Sequence, residues 1–239
     1  MRVRLALVPV AIAAALVGGC ATTGDPAANP SSSTTQTSNG VADLTADEIL
    51  AKAKTALAAA KSFHVKGETT EEGAAAKIDM KFAGKDFAGT VESAGMTLEL
   101  VRVGADLYMK APVEFWQSFV PKEQQAALAL LNGKYVKVDA TSPDFSAMAN
   151  AFNTDELVKP EGTVSKGEAK TINGTPAIGL VDSKDNAVLY IATVGEPLPL
   201  KAEGPSGTGS LEFTEYNATF DIKAPAAAEV FDLKSIMGG

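Results

Sequence analysis

Polar and apolar positions alternate with a period of two in several stretches after residue 62. Residues 77–82 and 96–100 both alternate in this way, which places every second side chain on the same face. Glycines separate these runs and are typical of turns. The pattern predicts about five antiparallel strands within residues 63–110. One face of this sheet is apolar and the other is charged, as in an antiparallel sheet exposed to water on one side.

The same period returns in the second half of the chain, beyond Pro160. Asn173-Gly174 and Asp185-Asn186 stand between apolar runs and predict hairpin turns. A final extended piece includes residues 230–233. The predicted strands of this half are residues 163–172, 175–182, 187–194, 198–204 and 208–217, and one more strand is predicted before them at residues 134–138.

Helical patterns precede the first strands and also separate the two groups of strands. Thr45 and Glu48 are spaced as a capping box, which predicts a helix over residues 46–61. In the middle region, one helix is predicted to start at Pro121 and another at residues 142–144. The predicted apolar stripe of the helix after Pro121 consists of Ala127, Leu128, Leu130 and Leu131. This order of elements predicts an α+β fold, with a large curved antiparallel sheet and helices that cover one face.

The N-terminus has the pattern of a bacterial export signal. Its apolar run, Leu5 to Leu16, is too short to span about 30 Å of hydrocarbon. The run is followed by Val17-Gly18-Gly19-Cys20, which resembles the lipobox of bacterial lipoproteins. We therefore predict that residues 1–19 are a signal peptide and that acylated Cys20 anchors the protein on the extracytoplasmic face of the cell membrane. The alternative is an ordinary secretory signal with an incidental cysteine.

A polar segment follows the cysteine. Residues 21–43 are rich in Ser, Thr, Asn and Gly and contain no aromatic residue. Such a segment cannot bury enough apolar surface to offset the entropy of ordering it. We therefore predict that residues 20–43 are the lipidated cysteine with a flexible, disordered linker, and that residues 44–239 form one domain.

Composition excludes several classes of function. The net charge of −8 falls to −10 if Arg2 and Arg4 are removed with the signal, and an acidic surface argues against a nucleic-acid partner. His64 is the single histidine and is expected to face solvent from a strand. Because no second histidine exists and Cys20 is the single cysteine, we predict no metal site and no cofactor. No serine lies in a nucleophile context, so we predict that the protein is not an enzyme.

Apolar surface is the remaining candidate for function. Helices that cover one face of a curved sheet can leave a cleft between the two layers, and methionine tolerates irregular apolar guests. The alternative is that these side chains fill a core, which is the commoner role for any one of them. The predicted lining of a lipid cavity is Ile78, Met80, Phe82, Met96, Leu98, Leu100, Phe119, Leu128, Leu131, Met148, Phe152 and Phe213.

Four short motifs lie in the predicted domain: Ser62 to Val65 after the first helix, the hairpin Gly104 to Lys110, Phe115-Trp116, and Gly133 to Val138. Together they resemble the actinobacterial lipoprotein family that includes the mycobacterial LppX and LprG proteins. That resemblance implies a half-open antiparallel β-barrel with helices on its concave side. It also implies a cavity for the acyl chains of lipids or lipoglycans, which the protein would carry or present at the cell envelope.

Two hypotheses follow from these observations. The first is a membrane-anchored lipid carrier, with a lipid or lipoglycan as ligand and a membrane transporter as a further partner. The second is a surface interaction or sensor module with a filled core and no lipid cargo. We expect a monomer in either case.

Overall fold

The computed structural model describes residues 37–71, 74–205 and 208–232, which contain twelve strands and four α-helices. The strands are β1 (Ser62–Glu71), β2 (Ala74–Ala83), β3 (Asp86–Ser93), β4 (Met96–Val103), β5 (Asp106–Lys110), β6 (Tyr135–Val138), β7 (Val164–Ile172), β8 (Thr175–Asp182), β9 (Val188–Ala192), β10 (Pro199–Glu203), β11 (Gly209–Thr214) and β12 (Val230–Asp232). The α-helices are α1 (Ala46–Ala59), α2 (Val113–Trp116), α3 (Pro143–Ala151) and α4 (Thr154–Leu157), and 3-10 helices cover Val41–Asp43, Lys122–Leu131 and Ala227–Glu229.

All twelve strands belong to one sheet, in the order β12-β6-β5-β4-β3-β2-β1-β11-β10-β9-β8-β7. The outermost strands β12 and β7 do not pair with each other, so the sheet remains open. The predicted α+β half-open barrel is therefore confirmed. The sheet is mixed rather than purely antiparallel, because β12 runs parallel to β6. The chain reaches β12 only after a long connection from β11, and such a connection does not impose the antiparallel direction of a tight hairpin.

Helix α1 begins where the sequence predicts. The Glu48 side chain accepts a hydrogen bond from the Thr45 backbone N–H at 2.9 Å, and Thr45 Oγ1 accepts one from the Glu48 backbone N–H at 3.4 Å. This reciprocal pair is the predicted capping box. The helix buries Ile49 and Ala53 in a small apolar cluster that also contains Ile178 of β8. The N-terminal helix therefore covers the half of the sheet formed by the last strands.

The main core lies on one face of the sheet. Phe63 and Val65 of β1 face it, and His64 between them belongs to the opposite face. Phe63 lies opposite Phe82 in the register of β1 and β2, and their rings stack with centroids 4.6 Å apart. Helices α2 and α3 and the long 3-10 helix supply further side chains to this core, among them the fully buried Trp116. Helices thus cover the apolar face, as predicted.

The helix predicted after Pro121 differs in type. Residues 122–131 form a 3-10 helix, in which side chains three residues apart lie in one row. Leu128 and Leu131 have this spacing and are buried, with exposed fractions of 1% and 0%. Leu130, which the α-helical stripe would place inside, is 61% exposed. The predicted apolar stripe was therefore wrong at Leu130, because the period is three rather than 3.6.

Part of the stretch assigned to the linker packs against the sheet. Ser38 forms an isolated antiparallel bridge with Val194, and the Asn39 side chain donates a hydrogen bond to the Ala192 carbonyl at 3.1 Å. Val41 is only 2% exposed. Residues 38–43 are therefore a strap that belongs to the folded part, which begins before residue 44. Cys20 and the rest of the predicted linker up to residue 36 lie outside the described residues.

Candidate functional site

An apolar cleft lies over the last strands of the sheet and encloses about 270 Å³. Its floor consists of Leu180, Leu189, Ala202 and Leu211, one from each of the strands β8 to β11. These residues lie directly opposite one another in the registers of neighbouring strands, so their side chains share one face. Leu189, Ala202 and Leu211 are half-buried rather than fully covered. The cleft therefore offers aliphatic surface that the protein itself does not fill.

The walls of the cleft come from the two helices nearest these strands. Leu50 of α1 borders it on one side, and Leu157 and Val158 at the end of α4 border it on another. Val164 at the start of β7 completes the apolar lining. The pattern of the sequence did not predict α4, because a helix of four residues is too short to show a period.

A buried aspartate fixes the loop that borders the cleft. The Asp182 carboxylate accepts hydrogen bonds from the backbone N–H groups of Glu161, Gly162 and Lys184, at 2.6, 3.2 and 2.8 Å. The backbone N–H of Lys184, together with those of Gly162 and Glu161, outweighs desolvation and holds the pKa of Asp182 below its ordinary value. Charged groups form the rim, since Glu161, Asp185 and Glu203 also border the cleft. The site is thus an apolar floor with a polar, mainly acidic rim.

The row that forms the floor continues across the sheet. Leu211 lies opposite Gly67 of β1, and Gly67 lies opposite Ile78 of β2. Val91 and Leu98 follow in β3 and β4. We call the apolar residues of this row the aliphatic strip: Leu180, Leu189, Ala202, Leu211, Ile78, Val91 and Leu98. Six of the seven are half-buried, and Leu180 is buried.

Gly67 allows two strand backbones to approach closely within this row. A Cβ atom at this position would lie 2.0 Å from the Ser210 carbonyl oxygen of β11, and the backbone φ is +157°. Any residue with a Cβ atom would clash with the β11 backbone here, so only glycine fits. The glycine therefore allows β1 and β11 to pair closely at the centre of the sheet.

The twelve residues predicted to line a cavity lie along the core face rather than at the cleft. None of them borders the cleft over β8 to β11. Ile78 and Leu98 belong to the aliphatic strip, and Met96 is half-buried at the start of β4. Three others are half-buried against the main core: Phe119, Met148 and Phe152. The remaining six are at most 3% exposed within that core: Met80, Phe82, Leu100, Leu128, Leu131 and Phe213.

The sequence reasoning missed the residues that border the cleft. Leu180, Leu189 and Leu211 fall in predicted strands without a predicted role, and the sequence patterns predict no element for Leu157. Alternation shows which face of a strand is apolar, but it does not show which part of that face a helix covers. The signal that could have been used is the clustering of aliphatic residues in the second group of strands.

The opposite face of the sheet is charged and well paired. His64 is on this face, as expected, but its side chain is only 13% exposed. Its Nε2 atom lies 2.7 Å from a carboxylate oxygen of Asp79, and its Nδ1 atom lies 2.8 Å from one of Glu215. Burial raises the pKa of Asp79, but hydrogen bonds from His64 and Lys66 outweigh it, so that the pKa lies below its ordinary value.

A second polar group on this face joins β4, β5 and β6. Glu99 accepts hydrogen bonds from Lys110 and from the Tyr135 hydroxyl, both at 2.8 Å. Burial raises the pKa of Glu99, but the Lys110 and Tyr135 contacts outweigh it and bring the pKa below its ordinary value. Burial and the hydrogen bond to Glu99 raise the pKa of Tyr135 to about 12. These contacts stabilise the sheet and create no unpaired acid or base.

Within residues 37–71, 74–205 and 208–232, no group of histidine, cysteine, aspartate or glutamate side chains is arranged to hold a metal ion. In the same residues, no helix is both long enough and apolar enough to cross a bilayer.

Comparison with known proteins gives matches among solved structures only. LprF from Mycobacterium bovis is 12% identical, with a TM-score of 0.47, over 76% of this chain and 97% of LprF. The lipoprotein LppX of Mycobacterium tuberculosis is 14% identical, also with a TM-score of 0.47, over 74% of this chain and 99% of LppX. The chain resembles lipoproteins of the LppX/LprG family. The resemblance that the motifs indicate is thus confirmed, and at these identities it concerns the fold alone.

A conserved protein from Thermus thermophilus is 13% identical, with a TM-score of 0.41, over 78% of this chain and 98% of that protein. No protein-family model and no curated protein matches the chain.

Proposed function

We propose that this protein is an exported, membrane-anchored lipoprotein that binds lipid acyl chains in the cleft over β8 to β11. The observation that supports this proposal is the half-buried aliphatic floor made by Leu189, Ala202 and Leu211 below a charged rim. Each methylene group removed from water contributes about 0.8 kcal/mol, so half of a long acyl chain suffices for binding. Such a site needs no catalytic group, and we propose no enzymatic activity.

The aliphatic strip extends this proposal to longer chains. A chain that leaves the cleft past Leu211 meets Ile78 and then Leu98, two of the residues first proposed from the sequence. Gly67 lies between Leu211 and Ile78 in this row and adds no side chain to it. We propose that the other predicted residues, from Met80 to Phe213, support this surface from within the core.

The anchor remains a proposal from the sequence. Acylation of Cys20 after removal of residues 1–19 would join the domain to the membrane through the segment that ends at the strap, residues 38–43. The protein would then take lipid from, or present lipid to, the extracytoplasmic side of the membrane. A membrane transporter would serve as the donor, and a monomer suffices for this role.

Lipid extraction followed by mass spectrometry tests the cargo. The full chain with Cys20→Ser, purified without added lipid, is expected to yield acyl lipids in a stoichiometric amount. The variant Ala202→Phe places a ring on the cleft floor and is expected to yield little or none. The control Ala75→Phe adds the same ring at an exposed position of β2 and is expected to retain the lipid. Empty wild-type protein that also binds no acyl chain in titration would rule out the carrier.

One observation favours the alternative of an interaction or sensor module. Six of the twelve residues first proposed as a lining are at most 3% exposed within the main core, which is the usual role of such side chains. On this alternative the cleft stays empty in the cell, and Ala202→Phe leaves the extracted material unchanged from wild type. The two functions are therefore distinguished by the same pair of variants.

The anchor has a separate test. Wild-type protein is expected to remain with the membrane fraction after a high-salt wash. Cys20→Ser is expected to give soluble protein or uncleaved precursor. If the cleaved Cys20→Ser protein still partitions with washed membranes, the proposed anchor is wrong.

A further inference from the structure

Arg102 occupies an unusual position on the core face of β4. In the sheet register it lies between Phe87 of β3 and Leu107 of β5, each of which is 1% exposed. The same row continues through Phe82 and Val138, which are also buried. Arg102 is the one arginine of the chain after residue 4. Arg102 itself is half-buried, and a partly buried charge usually has a partner that compensates it.

The Arg102 guanidinium contacts only neutral groups among the residues that the structure describes. Nε donates to the Gly104 carbonyl oxygen at 3.3 Å, and Nη1 donates to Asn153 Oδ1 at 3.3 Å. No carboxylate of the described chain lies within 4.0 Å of it, although eleven other ion pairs form. A guanidinium has five N–H donors, so three remain for a further partner.

These donors border a cavity of about 320 Å³ at the end of the β2–β3 hairpin. Phe82 and Phe152 provide its apolar lining, and Lys85 adds a second positive charge. Two carboxylates also border it. Glu156 is paired with Lys159 at 3.0 Å, and Asp155 is exposed. The cavity therefore combines an unpaired guanidinium with two aromatic rings.

We propose that this cavity is a second binding site, which takes an anionic group, a carboxylate or a phosphate, joined to an apolar body. The anion would accept paired hydrogen bonds from the Arg102 guanidinium, whose planar fork matches both groups. The apolar body would lie against Phe82 and Phe152. Lys85 would add attraction without fixing geometry, since an ammonium acts as a point charge.

This site is separate from the acyl-chain cleft and does not depend on it. Helix α4 is the wall between them, because Thr154 to Glu156 border the Arg102 cavity and Leu157 borders the cleft. A ligand at one site therefore does not need to occupy the other.

Calorimetric titration of the full chain tests the proposal with probes too short to fill the cleft. The matched pair is 3-phenylpropionate and 3-phenylpropanol, which differ in the carboxylate. Wild type is expected to bind the acid at least about tenfold tighter than the alcohol, in keeping with a charge-assisted hydrogen-bonded pair. Arg102→Gln is expected to abolish this preference, and Arg102→Lys to retain part of it. Lys52→Gln removes a charge from the exposed face of α1 and is expected to change nothing.

Two further titrations complete the test. One compares inorganic phosphate with the acid, and the other shows whether the acid binds at this cavity or in the acyl-chain cleft. Weaker binding of inorganic phosphate than of the acid supports an anion joined to an apolar body. Phosphate that binds as tightly as the acid would overturn the assignment of an apolar body to Phe82 and Phe152. Ala202→Phe, which blocks the cleft, is expected to leave the acid's affinity unchanged. A preference that survives Arg102→Gln, or that disappears in Ala202→Phe, would overturn the proposal.

A stability measurement separates binding from a structural role. In the absence of ligand, Arg102→Leu is expected to leave the melting temperature unchanged or to raise it, because an apolar side chain suits this row and replaces a half-buried charge that has no ion-pair partner among the described residues. A lower melting temperature for both Arg102→Leu and Arg102→Lys would show that the side chain serves the fold instead, and the site would then be rejected.

Discussion

The cleft predicts how affinity depends on the length of an acyl chain. For a series of 1-alkanols, each added methylene that enters the cleft should contribute about 0.8 kcal/mol, or about a fourfold increase in affinity. The alcohols are neutral, so the acidic rim contributes the same small amount to every member of the series. The slope of binding free energy against chain length then measures how much apolar surface the cleft removes from water.

The width of the cleft sets the length at which this increase ends. Its floor crosses the four strands β8 to β11. Three intervals of about 4.8 Å give a path of about 14 Å. An extended chain advances about 1.2 Å per bond, so about twelve carbons fill the path. Beyond this length the chain lies along the half-exposed part of the strip, and each further methylene should add clearly less.

Competition against a fluorescent fatty acid provides the assay, with alcohols from about six to about fourteen carbons. Wild type and the control Ala75→Phe are expected to show the same steep slope and the same break near about twelve carbons. Ala202→Phe, which fills the floor, is expected to show a flat series. If wild-type affinity were independent of length between about six and twelve carbons, the cleft would not bury the chain and the reasoning would be refuted.

Three further predictions concern the fold. Thr45→Ala removes the acceptor for the Glu48 N–H and should lower the free energy of unfolding in urea by about 1 kcal/mol. Thr45→Ser keeps a hydroxyl acceptor and should be close to wild type. Equal losses of unfolding free energy in both variants would exclude the helix cap as the cause. Glu99 has a lowered pKa in the folded protein, so its ionised form stabilises the fold fully above the ordinary carboxyl pKa of about 4.3, and this stabilisation is lost as the pH falls through the folded value. Glu99→Gln should therefore flatten the decline of the melting temperature below that pH, and an unchanged decline would contradict this. Gly67→Ala brings a methyl group against the Ser210 carbonyl and should cost about 3 kcal/mol or more in urea unfolding, whereas a loss near zero would show that β1 can move.

Much of the fold could be predicted because its signals are local. Alternation within residues 77–82 and 96–100 is enough to define strands, and the pair Asn173-Gly174 is enough to define a hairpin turn. The start of α1 was predictable for the same reason, since Thr45 and Glu48 contact each other across a single turn. Each of these elements depends on neighbours that lie close in the chain.

The candidate sites depend on contacts that no local pattern contains. The cleft needs Leu50 of α1 beside Leu180 of β8, and the packing of α1 on the last strands brings these distant residues together. The pairing of β3, β4 and β5 places Arg102 between Phe87 and Leu107, and its neighbours in sequence do not reveal these two contacts across the sheet. Whether an apolar side chain fills a core or lines an opening depends on what covers it, which alternation does not report.

The order of strands also has a consequence for how the chain folds as it is made. Nine of the eleven strand pairings join consecutive strands, and eight of these, all except β5 with β6, have short connections and can form as hairpins soon after synthesis. The pairing of β1 with β11 joins His64 to Thr214, so one edge of β1 stays unpaired until most of the chain has emerged. An open edge of this kind invites pairing with other chains. Lys66 and Glu68 are charged residues of this strand, and charged side chains on an unpaired strand disfavour such pairing during the interval before β11 arrives.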